Sequence, residues 1–161
     1  MKEHQKVKQG RRDIFRTDTS IYVCEGKALN MAEKVCFVTG SGRRIGASII
    51  RKFSSEGYAV LIHVASSVEA GEALKDHLID KGAQADVLQA DLSNEQETIQ
   101  LISAIESHPF VQQRGGLDVL VHNASVYSQT PIAELSMETM RFLNRVHIEA
   151  PLQISQGLFS L

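Results

Sequence analysis

The sequence predicts an α/β protein with a doubly wound parallel sheet, and three observations lead there. From Val35 onward, short β-rich runs alternate with segments of helical spacing. The runs are apolar throughout instead of alternating, as burial on both faces of a parallel sheet requires. The composition, 43% hydrophobic and 22% charged over 161 residues, is that of an ordinary globular chain of one-domain length.

Val35-Cys36-Phe37-Val38 reads as the first strand and ends in Thr39-Gly40. Helical spacing follows at Ile45, Ile49, Ile50 and Phe53, stopped by Gly57. Ala59–Ile62 is a second apolar strand. Ser66-x-x-Glu69 has the form of a capping box and leads a helix with Leu74 and Leu78 on one face, closed by Gly82. Ala85–Gln89 is the third strand. Ser93-x-x-Gln96 then caps a third helix, with Ile99, Ile102 and Ile105 at its buried positions and an end near Pro109. Gly115-Gly116 turns the chain into a fourth strand, Leu117–Val121, and a further helical region runs from about Ser136.

Residues 1–30 stand apart. They carry seven Lys/Arg and four Asp/Glu, against ten and fifteen in the rest of the chain, and show no sustained apolar period. A stretch with so little apolar surface to bury is expected to be a mobile or disordered extension. Met31 followed by Ala32-Glu33-Lys34 and a strand is also a natural domain start, so the 31–161 region is taken as the folded part and the true start is open between Met1 and Met31.

The net charge of −2 is too mild for a nucleic-acid or polybasic membrane surface, and no apolar run approaches the ~20 residues that cross a bilayer. The two cysteines, Cys24 and Cys36, fit neither a disulfide scaffold nor a zinc ligand set, and the six His are scattered. No metal is expected, and a reducing, cytoplasmic setting is the default.

The chemistry begins at the first strand-to-helix turn, Thr39-Gly40-Ser41-Gly42-Arg43-Arg44-Ile45-Gly46. Glycines there let backbone approach a pyrophosphate, and the helix start offers free N–H groups and a positive dipole end. A Walker A reading fails because no Lys-Ser/Thr follows Gly46, and Gly-x-Gly-x-x-Gly fails by one residue. What remains is Thr-Gly-x-x-x-Arg-x-Gly between an apolar strand and an amphipathic helix. Taken alone it is a structural turn or a phosphate cradle; its placement favours the cradle.

Here the sequence resembles the short-chain dehydrogenase/reductase family over Glu33–Leu161. The family loop is Thr-Gly-x-x-x-Gly-x-Gly, and Arg44 stands at its middle glycine. The adenine-holding Asp-hydrophobic-Ser/Thr is Asp91-Leu92-Ser93, and Asn-Asn-Ala-Gly becomes His122-Asn123-Ala124-Ser125. Val146-His147-Ile148-Glu149-Ala150-Pro151 sits where the family has Val-Asn-x-x-x-Pro. Arg43-Arg44, Ala124-Ser125 and His147 together look like the pteridine reductase branch, and among its bacterial members the dihydromonapterin reductases. The resemblance implies a Rossmann-type sheet. It also implies cofactor contacts from Gly40, Ser41, Arg43, Arg44, Ile45, Gly46, Asp91, Leu92, Asn123, Ala124 and Ser125.

NAD-specific sites place a carboxylate after the second strand, where it repels a 2′-phosphate. Here His63-Val64-Ala65-Ser66-Ser67 holds no acid. Arg44 and Arg43 can make charge-assisted contacts to a phosphate and Ser66 can offer a hydroxyl, so NADP(H) is expected over NAD(H). Two Arg at a helix start oppose its dipole, which calls for a compensating anion. His63 is open between a polar strand cap and a part of the adenosine pocket. His122 reads as structural, Cys36 as packing, Met137 and Met140 as core or pocket wall, and Tyr127 as pocket-lining at most. His147 is the one candidate for catalytic work, since the family's Asn at that place organises a water relay.

The family's Ser and Tyr-x-x-x-Lys have no counterpart here: Tyr22, Tyr58 and Tyr127 each lack a Lys four residues on. The expectation is a sheet truncated after about four strands, in a fragment of a longer reductase or a truncated reading frame that is inactive alone. The fourth strand would be an unpaired apolar edge, and Leu152, Ile154, Leu158 and Phe159 of the last helix would be bare, since full-length relatives pair that helix across a homo-oligomer. Three functions remain open. One is NADPH-dependent reduction of a small pterin-like substrate such as dihydromonapterin or dihydrofolate. The second is reduction of a 3-oxoacyl or other carbonyl compound, and the third is NADP binding without catalysis.

Overall fold

The computed structural model describes residues 34–161 and, before them, the backbone of two short strands, β1 (Tyr22–Cys24) and β2 (Lys27–Leu29). These pair antiparallel, with Val23 opposite Ala28, and belong to a separate unit spanning residues 1–31. The remainder of the 1–30 extension, and with it the expectation of disorder, lies outside the described residues.

The second unit is the expected doubly wound sheet. In chain order it runs β3 (Lys34–Val38), α1 (Arg44–Ser55), β4 (Tyr58–Val64), α2 (Val68–Asp80), β5 (Ala85–Gln89), α3 (Glu95–Glu106), α4 (Pro109–Arg114), β6 (Val119–Val121), α5 (Met137–Asn144) and α6 (Ala150–Leu158). The four strands are all parallel in the order β5-β4-β3-β6. The chain therefore reverses its direction of travel across the sheet after β5, crossing from one edge to the other. Such a reversal opens a crevice at the carboxyl ends of the neighbours β3 and β6.

Alternation along the strands builds one core on each face. Val35, Phe37, Ala59 and Leu61 pack with Leu101, Ile105, Val111, Ile154 and Leu158 of α3, α4 and α6. Cys36, Val38, Val60 and Ile62 pack with Ala47, Ile50, Leu74 and Leu78 of α1 and α2. Cys36 is fully buried, and that burial pushes its thiol up to about 12, so it is packing material and no nucleophile.

Several element ends differ from the sequence reading. The first residue of α2 is preceded by Ser67, not Ser66, and neither forms the expected box: Ser67 makes no side-chain cap bond. The cap of α3 is Asn94, whose Oδ1 accepts from the amides of Gln96 and Glu97, one residue after the expected Ser93. Asn outcompetes Ser there because Glu97 answers it, taking a bond from Asn94 Nδ2 and another from the Asp91 amide. The buried face of α3 is consequently Thr98, Leu101 and Ile105, with Ile99 turned to solvent. The short helix α4 was not expected. Pro109 opens it and His108 caps it, its Nδ1 accepting from the Phe110 amide while Nε2–H reaches Asp86 of β5.

The long helical region after Ser136 is not continuous. A wide, π-type turn at Arg145–Glu149 separates α5 from α6. Pro151 explains it, because proline has no amide to give the His147 carbonyl and its ring crowds that oxygen, displacing the ladder. The exposed apolar face expected of the last helix is also half wrong. Ile154 and Leu158 are buried against α3, with Gly157 pressed close to Ile102, while Leu152 and Phe159 are exposed. Among the described residues no helix is long and apolar enough to cross a membrane.

Ile154 and Leu152 lie two residues apart with opposite environments. Ile154→Ala is expected to cost ~2–5 kcal/mol in urea unfolding, and Leu152→Ala no more than ~0.5 kcal/mol. Equal losses would contradict the packing of α6 on α3.

Candidate functional site

The crevice holds a cavity of about 450 Å³ at the carboxyl ends of the strands. Four segments line it. They are Gly40 and Gly42–Gly46 of the first turn, His63–Ser67 after β4, Asp91 and Leu92 after β5, and Asn123–Val126 after β6, with Val146 closing one side.

The first turn is shaped by two close approaches. Gly40 has φ +62, and a Cβ there would lie 2.7 Å from the Ala124 backbone. At Gly46 a Cβ would meet the Gly40 carbonyl at 2.5 Å and Asn123 Nδ2 at 2.6 Å. Only bare backbone fits at either place. The start of α1 is left open: Arg43, its cap, offers no side-chain acceptor to the first amides, and the first turn has no acid. Those amides and the helix dipole face a site with two Arg side chains beside them, an arrangement that suits a phosphate.

Arg44 is the one described residue other than glycine with a positive φ, at 52°. A side chain in the left-handed region costs ~1–2 kcal/mol. The position at which the sequence departs from its family's glycine therefore keeps a glycine's conformation. Both Arg43 and Arg44 are exposed at the cavity mouth, as is Ile45 at 73% exposure. Ile45 shares the apolar spacing of α1 without being buried in its core, and it lines the cavity where the family resemblance places it.

Behind the lining lies a network of hydrogen bonds. Thr39 Oγ1, buried, accepts from the amides of Asn123 and Ala124 at 3.0 Å each. Asn123 Nδ2 returns two bonds, to the carbonyls of Thr39 and Gly40. Ser41 does not line the cavity as expected. It is fully buried, its Oγ donating to the Val38 carbonyl at 2.7 Å and accepting from the His63 amide, so its side chain serves the turn and not a ligand.

His63 resolves its open question toward structure while still touching the cavity. Its Nδ1 accepts from the Gly40 amide at 2.9 Å and its Nε2–H donates to the Ala90 carbonyl at 3.0 Å. Burial pushes its pKa down to about 4, against weaker upward pulls from the Ala90 bond and the Asp91 charge. Asp91 lines the far wall with Oδ1 fixed by the Ser93 amide.

His147 is not among the lining residues. It is exposed, in the wide turn, and its Nε2 lies 2.9 Å from the Val126 carbonyl, holding the loop after β6 to the helix. Its neighbour Val146, buried, lines the cavity instead. His122 behaves as expected of a structural residue, pairing its Nε2 with Ser155 Oγ of α6 at 2.9 Å, and partial burial lowers its pKa. Sequence reasoning missed Gly42, Val64, Ala65, Ser67, Val126 and Val146 as lining residues. Gly42 had a signal in the glycine loop itself; a Cβ there would strike Val64. The others are backbone neighbours of motif residues with no chemical mark of their own. Tyr127 is outside the lining, 84% exposed, and no group of metal-ligating side chains occurs among the described residues.

The short-chain dehydrogenase family model matches residues 34–161, and the chain belongs to that family. An uncharacterised oxidoreductase of Methylorubrum extorquens is 35% identical over 124 residues, 77% of this chain and 48% of its own length. A 3-oxoacyl-[acyl-carrier-protein] reductase of Staphylococcus aureus is 37% identical over 93 residues, 58% of this chain and 36% of its own. The crystal structure of the FolM alternative dihydrofolate reductase 1 from Brucella canis, complexed with NADP, superposes with a TM-score of 0.69 at 28% identity, covering 80% of this chain and 50% of that one. The chain thus spans about half the length of the first relatives it matches.

The neutral His63 ring makes stability depend on pH. An imidazole in the unfolded chain takes up its proton near pH 6.5, whereas the folded ring holds off until about 4. Its contribution is complete above pH 6.5 and drains away as the pH falls to 4, by about 3 kcal/mol. Chemical unfolding of wild type and His63→Asn across that range should show the slope in the first and a flatter profile in the second. Parallel profiles would remove His63 as its source.

Proposed function

We propose that this chain forms the cofactor-binding part of an NADPH-dependent oxidoreductase. The observation that carries this reading is the meeting, in one cavity lining, of an uncapped helix start bearing Arg43 and Arg44 with an acid-free His63–Ser67 segment. A carboxylate in that segment would repel a 2′-phosphate; serine hydroxyls and guanidinium groups accept one. The bare backbone at Gly40 and Gly46 gives the pyrophosphate room, and Asp91 with Leu92 suits the adenine end. Asn123–Val126 and Val146 would border the nicotinamide. Bound there, the cofactor supplies hydride; the residues of this chain orient it and exclude water. The NADP-bound Brucella canis structure supports the same cofactor.

The substrate we favour is a dihydropterin, such as dihydromonapterin or dihydrofolate. It rests on Arg44 in the glycine position, on Ala124-Ser125, and on the alternative dihydrofolate reductase among the structural neighbours. Reduction of a 3-oxoacyl thioester is the second reading, carried by the Staphylococcus aureus relative. His147, through the Val126 backbone, would hold the loop bordering the nicotinamide in either case.

Two measurements separate these readings. NADPH oxidation by the gene's product is expected with dihydromonapterin or dihydrofolate and not with an acetoacetyl thioester; the reverse preference would replace the pterin reading with the second. Independently, Arg44→Gly relieves a left-handed side chain and a charge opposed to the helix dipole, so thermal unfolding should show a gain of about 1 kcal/mol. The same change should weaken NADPH ten- to a hundredfold by titration and leave NADH nearly unchanged, because a charge-assisted bond is worth ~1.5–3 kcal/mol. Equal weakening of both cofactors would exclude Arg44 from the phosphate site.

A further inference from the structure

His63 is a buried polar side chain with both ring nitrogens engaged. Four hydrogen bonds converge on this one residue at the end of β4. Its amide donates to Ser41 Oγ, its carbonyl accepts from the Ser41 amide, its Nδ1 accepts from the Gly40 amide, and its Nε2–H donates to the Ala90 carbonyl. The ring is 1% exposed and its edge meets Phe37, with centroids 6.2 Å apart. A strand-end residue that only filled the core would need the apolar contact and neither ring bond.

The two ring partners are not ordinary backbone groups. Gly40 is the pivot of the first turn, at positive φ and against the Ala124 backbone. Ala90 shares its peptide unit with Asp91, so the carbonyl that His63 holds fixes the plane of the Asp91 amide. That amide in turn donates to Glu97 Oε2. One imidazole therefore spans the distance between the phosphate end and the adenine end of the cavity. Only a neutral ring with the proton on Nε2 satisfies both partners, since a proton on Nδ1 would point at the Gly40 N–H. The charged groups around the ring are Asp91 at the β5 exit, Glu97 of α3 behind it, and Arg43 and Arg44 of α1 on the same cavity.

We infer that His63 is a positioning residue for the cofactor: its imidazole sets the direction of the Gly40 turn and of the Ala90–Asp91 peptide together, so that the two ends of the dinucleotide seat are held in register without His63 needing to bind the cofactor itself. This rests on the NADP reading of the cavity for its ligand, but the tie between the two backbone segments does not.

The test compares wild type with His63→Phe, which keeps the contact to Phe37 and loses both ring bonds, and with His63→Asn, whose amide oxygen can replace Nδ1 as the acceptor for Gly40 without reaching Ala90. NADPH affinity and residue-resolved amide exchange are measured on each. Expected is an NADPH Kd raised at least tenfold in His63→Phe and raised less, but still at least threefold, in His63→Asn, which keeps the Gly40 tie and loses the Ala90 one. The Gly40 amide should exchange at least tenfold faster in His63→Phe only, and the Asp91 amide faster in both variants. The ¹⁵N spectrum of the wild-type ring should show the proton on Nε2. An NADPH Kd within twofold of wild type in a folded His63→Phe protein would overturn the inference, as would unchanged Gly40 and Asp91 exchange. If His63→Phe fails to fold, His63→Asn decides alone, because the inference requires faster exchange at Asp91 with Gly40 unaffected. Should wild type bind no NADPH at all, the cofactor reading falls, and the amide exchange still decides whether His63 holds the two segments.

Discussion

Everything at this site hangs on how closely the exits of β3 and β6 are drawn together. Thr39 Oγ1 takes the amides of Asn123 and Ala124, and Asn123 Nδ2 returns its hydrogens to the Thr39 and Gly40 carbonyls. This reciprocal clasp joins segments more than eighty residues apart in sequence, and its bonds are partly buried around the buried Thr39, where a missing partner costs ~1–3 kcal/mol. With the clasp closed, there is no room for a side chain at Gly40 or Gly46. The cradle is thus a by-product of tight packing between two strand ends, and the glycines are what that packing demands.

The second organising choice is electrostatic. The start of α1 has no acid in its first turn, no side-chain cap and two arginines, each of which works against an isolated helix. Arg44 adds a backbone conformation that glycine adopts more readily. Four local disadvantages at one place mark a site whose balance is struck by something outside the chain, and an anionic ligand removes all of the electrostatic ones together. Stability rules that hold elsewhere in the fold are suspended where binding is done.

How much of this was legible in the sequence follows the physical range of each signal. The sheet, its direction and both of its cores could be read because apolar runs such as Ala59–Ile62 admit one explanation at every position. Helix ends were less legible: Ser66 and Ser93 have the right chemistry for a cap, but Asn94 won because of Glu97, a contest settled by side-chain geometry. The break at Arg145–Glu149 was written in Pro151, although the proline acts four residues upstream of itself. At the site, motif positions found twelve of the eighteen lining residues, and failed at Ser41, where the same spacing conceals a side chain turned inward. The double engagement of His63 left no trace in sequence, since it depends on Gly40 and Ala90 arriving from twenty-three residues before it and twenty-seven after.

The register of β3 has a consequence for how the molecule comes into being. Its neighbour on one side, β4, follows within a few turns of chain, while its partner on the other, β6, pairs Val119 with Cys36. A ribosome adding ~5–20 residues per second leaves that flank of β3 without its mate for several seconds or more. During that interval β3, apolar from Val35 to Val38, presents an open row of amides and carbonyls to whatever else the cell is making, and the time to β6, more than the final stability, sets how often nascent chains stick to one another.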